Sequence, residues 1–114
     1  MLERGRAAED LVADFLVRHG LTILARNYRC RRGEIDLVVR EGGTCVFVEV
    51  RLRRSDRYGG AGGSIDRRKQ ARLIAAARHW LAGKPDQPCR FDAVLLEDLD
   101  VSRLEWIRDA FPGE

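Results

Sequence analysis

Ala7, Ala8, Leu11, Val12, Phe15 and Leu16 recur three and four positions apart near the start of the chain. That spacing lines one face of a helix. The pattern predicts a helix from Glu3 to His19, stopped by Gly20. Glu9 falls at the edge of the apolar stripe, where a helix meets a sheet.

The period then shortens. Leu21–Tyr28, Glu34–Arg40 and Thr44–Leu52 read as strands, and Gly42-Gly43 between the last two signals a tight hairpin turn. The stretch from Arg53 to Gly63 is polar and glycine-rich and reads as a loop. A second helix begins at Ser64 or Asp66, either of which can cap it. It carries Ile65, Ala71, Leu73, Ile74, Ala77 and Leu81 on one side and ends at Gly83 and Pro85. Arg90–Leu96 is a further strand and Arg103–Arg108 a short last one. A helical crossover between the third and fourth strands allows them to run parallel. The expected fold is α/β, a central mixed sheet flanked by helices in the order α-β-β-β-α-β-β, as a single domain over residues 1–114.

The hairpin also acts as a ruler. With Gly42-Gly43 as the turn, Glu41 faces Thr44, Asp36 faces Glu49 and Glu34 faces Arg51. Residues two apart share a face of a strand. Glu34, Asp36, Glu49 and Arg51 therefore project together, and Ile35, Leu37, Val39, Val46, Val48 and Val50 form an apolar face behind them. A slip of one residue would mismatch these faces.

Two carboxylates set opposite each other repel. A neighbouring cation such as Arg51, a shared proton in a dry site, or a divalent metal with oxygen ligands would each offset that repulsion. The plain alternative is an exposed ladder of cross-strand salt bridges, which contributes little.

Composition narrows the setting. The chain has 114 residues, 45% hydrophobic and 34% charged, with a formal net charge of +3. This composition suits one small domain and excludes a disordered chain. The basic residues cluster: Arg51, Arg53, Arg54, Arg57, Arg67, Arg68, Lys69 and Arg72 fall in one stretch able to neutralise phosphates. Cys30, Cys45 and Cys89 form no CxxC pair, so neither a zinc site nor a disulfide framework is indicated. Cys45 and Cys89 read as small buried hydrophobes. A reduced cytoplasmic setting is expected, without a membrane partner, since no stretch reaches the roughly 20 apolar residues of a span. His19 and His79 read as helix-end residues, and Trp80 and Trp106 as packing residues.

The segment GEIDLVVREGGTCVFVEVR resembles the core of the PD-(D/E)XK nuclease superfamily, an Asp on one strand followed by Glu-x-Lys on the next. RGRAAEDLVADFL, ILARNYRCRRGEIDLVV, FVEVR, KQARL, RFDAVLL and IRDAF resemble, in order and spacing, the YraN-like family of small bacterial proteins. That family is similar to archaeal Holliday-junction resolvases and has the restriction-endonuclease-like fold. The resemblance implies that Asp36 and Glu49 hold magnesium or manganese. Glu9 matches an acidic helix residue that completes such sites. Glu34 matches the Glu of GEID and would orient a basic residue or a water. Lys69 and Gln70 match a helix position facing the active site. Asp92 of RFD reads as structural.

Arg51 departs from the motif, which has Lys there. Arginine cannot accept a proton. It would stabilise phosphoryl charge, or yield the role of ammonium to Lys69, or mark a protein that binds without cleaving; the sequence leaves all three open. The implied function is a metal-dependent endonuclease acting on nucleic acid, with DNA the favoured substrate and selection by structure rather than sequence. Arg53, Arg54, Arg57, Arg67, Arg68 and Arg72 would grip the backbone, and Tyr58 would stack on a base. A catalytically silent nucleic-acid-binding module is the alternative. Junction-cleaving relatives act as dimers, so a homodimer is considered by analogy alone.

Overall fold

The computed structural model describes residues 3–53 and 65–113. Helix α1 (Glu3–Arg18) leads into strands β1 (Thr22–Cys30), β2 (Gly33–Glu41) and β3 (Thr44–Arg53). Helix α2 (Arg67–Leu81) and strands β4 (Cys89–Glu97) and β5 (Asp100–Phe111) follow. The five strands form one sheet in the order β1-β2-β3-β4-β5. Among the described residues β3 and β4 pair in parallel, and the other neighbours are antiparallel. This is the mixed α/β arrangement expected, in the expected element order.

One helix covers each face. Ala8, Val12 and Leu16 of α1 pack on Leu37, Val39, Val46, Val48, Val94 and Leu96. Leu73, Ala76 and Ala77 of α2 pack on Val38, Cys45, Phe47, Phe91 and Ala93. The central strands are therefore buried on both sides, which is why β3 is continuously apolar from Cys45 to Val48. Completely buried Leu16 illustrates the stakes: truncating such a leucine to alanine costs about 2–5 kcal/mol.

Turn chemistry sets the boundaries. Gly20 ends α1 at φ 92° and Gly42 opens the β2–β3 turn at φ 60°, both left-handed values that glycine adopts without strain. Asp66 caps α2, its carboxylate accepting the Lys69 N–H at 2.8 Å. Asp98 and Leu99, at φ 51° and 58°, make a tight turn into β5.

Three expectations need correction. The last strand is long, not short: β5 runs from Asp100 to Phe111. It is an edge strand with one face in solvent, so its many charged residues hid it. Ile35 packs with Val38 under α2, not with Leu37 and Val39. Asn27, between the Arg26–Leu37 and Tyr28–Ile35 pairs, is left-handed at φ 52° and interrupts the regular alternation. Cys89 is exposed rather than buried, although it is the register partner of buried Cys45.

Asp92 is structural. Its buried carboxylate accepts from Arg90 Nε at 2.9 Å, Trp106 Nε1 at 2.9 Å and the Asp109 N–H at 2.9 Å. Asp109 offers that N–H because it sits at φ 53° beside an irregularity in the β4–β5 register. Arg90 and Arg108 both reach Glu41 at 2.6 Å, tying β2 to β4 and β5. These two guanidinium groups hold the Glu41 carboxyl below its ordinary pKa. Trp106 meets Phe15 edge-on, and His19 Nδ1 lies 2.8 Å from the Phe15 carbonyl. Trp80 meets Tyr28 edge-on, and the Tyr28 hydroxyl bonds His79. These residues serve packing and helix ends, as their positions implied.

Candidate active site

The β2–β3 ladder runs from Glu41–Thr44 to Leu37–Val48 in the register the turn dictates. Continued one step, it sets Asp36 against Glu49. There the pairing changes character: Asp36 Oδ2 accepts the Val50 N–H at 2.8 Å, so a side chain takes a strand donor. Beyond this point β3 stays with β4, pairing Glu49 with Ala93 and Arg51 with Leu95. β2 stays with β1, pairing Glu34 with Arg29. The carboxyl pair thus stands where two strands part.

That divergence corrects the expected Glu34–Arg51 pairing. Glu34 instead lies 3.5 Å from Arg29 and is half-buried. Arg51 Nε turns back to Glu49 Oε2 at 3.9 Å. It is buried and makes no hydrogen bond. Lys69 Nζ lies closer to the same oxygen, at 3.4 Å. The Asp66 cap fixes the first turn of α2, and Gln70 Nε2 donates to the Ile65 carbonyl at 2.7 Å. Together these contacts hold the helix end from which Lys69 reaches the pair.

Glu49 is only 7% exposed. Burial, reinforced by the Asp36 charge, pushes its carboxyl up to about 7, against the pull of Lys69 and Arg51. Asp36 is also raised, by burial first, although the Val50 N–H favours its charged form. The two carboxyls are near enough for the Asp36 charge to raise Glu49. With Glu49 buried and Asp36 half-buried, the pair is not a fully exposed salt-bridge ladder, and burial raises both carboxyls above their ordinary range.

Glu9 of α1 is 3% exposed, and its Oε1 has no hydrogen-bond partner. Burial and then the Asp36 charge raise its pKa, while the Asn27 side chain bonds it. Among the described residues no three His, Cys, Asp or Glu side chains converge into one metal-holding group. Asp36 and Glu49 are brought together; Glu9 stands behind them. The donor set nonetheless fits a hard divalent cation, since carboxylate oxygens with water completing the shell are what magnesium takes. Glu9 Oε1, on α1, is a further buried oxygen without a hydrogen-bond partner.

The basic residues divide. Arg53 Nη2 lies 3.7 Å from Glu105 on β5, turned away from the pair. Arg67, Arg68 and Arg72 are exposed on α2. Arg54, Arg57 and Tyr58 lie outside the described residues. Sequence reasoning missed Asn27. Its signal was an asparagine, a poor strand former that tolerates the left-handed region, inside the strand-like run LARNYR.

Comparison with known proteins agrees with the motifs. The model of "Uncharacterised protein family UPF0102" matches residues 8–96. A UPF0102 protein of Nitrosomonas europaea is 58% identical over 109 residues, 95% of this chain and 92% of its own. One from Methylobacillus flagellatus is 50% identical over 111 residues, 97% of this chain and 98% of its own. Another, from Dechloromonas aromatica, is 52% identical over 111 residues, 97% of this chain and 90% of its own. No helix among the described residues is long and apolar enough to cross a membrane. The chain belongs to family UPF0102, the YraN-like family that its motifs resemble.

Proposed function

We propose that this protein is a metal-dependent endonuclease that hydrolyses phosphodiester bonds of nucleic acid, with structured DNA as the favoured substrate. The observation that carries the reading is the Asp36–Glu49 pair at the parting of β2 and β3, with Glu49 buried and Lys69 Nζ 3.4 Å from it.

Asp36 and Glu49 would hold magnesium or manganese, and a bound ion of this kind lowers the pKa of its water and neutralises phosphoryl charge. The chain's own groups do the rest. The Val50 N–H orients Asp36. Burial of Glu49 keeps bulk water from the pair. The Lys69 ammonium is placed to neutralise charge growing on the phosphoryl oxygens. Exposed arginines on α2 hold the backbone without reading bases, hence selection by shape.

Arg51 favours the second reading, a module that binds nucleic acid without cleaving it. The position of Lys69 weighs against it, because an ammonium does reach Glu49. Cleavage of a labelled panel of branched, duplex and single-stranded DNA and RNA decides between them. The panel is run with magnesium, manganese or chelator, beside Asp36→Ala. Metal-dependent cutting lost in Asp36→Ala supports the nuclease. Binding in low salt with no cutting on any substrate supports the silent module.

A further inference from the structure

Gly33 opens β2 against the backbone of α2. A Cβ on Gly33 would lie 2.4 Å from the Arg72 carbonyl oxygen and 3.2 Å from Arg72 Cβ. Glycine permits this approach, and the turn between β1 and β2 is thereby seated on the helix. The two residues before Gly33 are Arg31 and Arg32, both exposed. Arg68 and Arg72, four apart on α2, share one helix face and are also exposed. A turn and a helix remote in sequence thus bring four exposed arginines into one neighbourhood.

Elsewhere the arginines divide, and Arg6, Arg40, Arg67 and Arg78 make no ion pair among the described residues while others do. Arg18 meets Asp14, Arg26 meets Asp10, Arg90 meets Asp92 and Arg103 meets Glu97. Among the described residues Arg31, Arg32, Arg68 and Arg72 make no ion pair. Four unpaired like charges gathered on one surface repel each other, and a polyanion relieves that repulsion. The patch also borders the carboxyl pair: Asp36 lies three residues along β2 from Gly33, about 10 Å at the rise of a strand.

We infer that the β1–β2 turn, through Arg31 and Arg32, joins Arg68 and Arg72 of α2 in one clamp on the phosphodiester backbone beside the scissile phosphate. The inference rests on the nucleic-acid reading above and adds to it a contact surface from a second element. The clamp positions substrate and takes no part in the chemistry. Its loss therefore raises KM and leaves kcat in place.

The test is duplex DNA binding by the full chain across a salt series, with metal-free buffer. Wild type is compared with the Arg31→Ala/Arg32→Ala double variant and with Arg18→Ala, which removes a charge on α1. Two lost phosphate contacts should lower the slope of log affinity against log salt by roughly 1.8. Arg18→Ala should keep the wild-type slope. A double variant with the wild-type slope and affinity overturns the clamp and leaves the nucleic-acid reading standing. A wild type that binds no nucleic acid even in low salt overturns both. Both variants change exposed side chains, and matching thermal melts confirm that any difference is one of binding.

Discussion

Lys69 Nζ approaches Glu49 Oε2 to 3.4 Å, whereas Arg51, two residues along the strand, reaches the same oxygen only at 3.9 Å through a buried Nε without a hydrogen bond. Under the nuclease reading, the cation that the strand motif would carry as lysine would come from the helix. Lys69→Ala should lower kcat for cleavage by about 100-fold, the scale for removing one charge-stabilising donor. Arg51→Lys should change it far less. Single-turnover kinetics on the preferred substrate measure both, and equal losses would return the role to Arg51.

The pH dependence follows from Glu49. Its carboxyl has an ordinary pKa of 4.5 and is pushed up to about 7 in the fold by burial and by Asp36. Between those values the folded state binds more proton than the unfolded one. Stability of the metal-free protein is then greatest below pH 4.5 as far as this group is concerned, and is lost as pH rises towards 7. The loss should be of order 1–3 kcal/mol. Denaturant melts of wild type and Glu49→Gln at pH 5 and pH 8 test it, since the variant should lose this part of the slope.

Asp92 should behave as a structural acid. It accepts from Arg90, Trp106 and the Asp109 backbone while fully enclosed. Asp92→Ala leaves Arg90 with Glu41 as its remaining carboxylate and strips Trp106 Nε1 and the Asp109 N–H of their acceptor, and should cost about 3–5 kcal/mol. Urea unfolding measures the cost, and a variant as stable as wild type would remove Asp92 from the account of the fold.

Gly33→Ala tests the seating of the β1–β2 turn. A Cβ 2.4 Å from the Arg72 carbonyl forces strand or helix to move. The expected cost is about 1–3 kcal/mol, the range for overpacking a tight contact. Equilibrium unfolding of the variant reads it directly.

Much of this was legible in the chain. The Gly42-Gly43 turn fixes the register from Thr44 to Val48, and so the meeting of Asp36 with Glu49, because a side-chain period of two leaves little freedom. The apolar stripe of α1 was equally plain, and Asp66 was one of two residues able to cap α2. What escaped were features set by neighbours distant in sequence. The parting of β2 from β3 depends on β3 pairing with β4, so Glu34 could not be placed from the hairpin alone. The left-handed Asn27 and its bond to Glu9 depend on α1 packing over β1. The contact of Gly33 with Arg72 joins residues 39 positions apart. Strand β5 was truncated in the reading because an edge strand can be polar along most of its length.

The central claim is that Asp36 and Glu49 together hold a divalent ion. Manganese binding followed by electron paramagnetic resonance, at pH 7.5, tests it on wild type, Asp36→Ala and Glu49→Gln. The account predicts one bound manganese in wild type and a loss of affinity in both variants, with thermal stability retained. Wild type that binds no manganese, or variants that bind it as tightly as wild type, would contradict it.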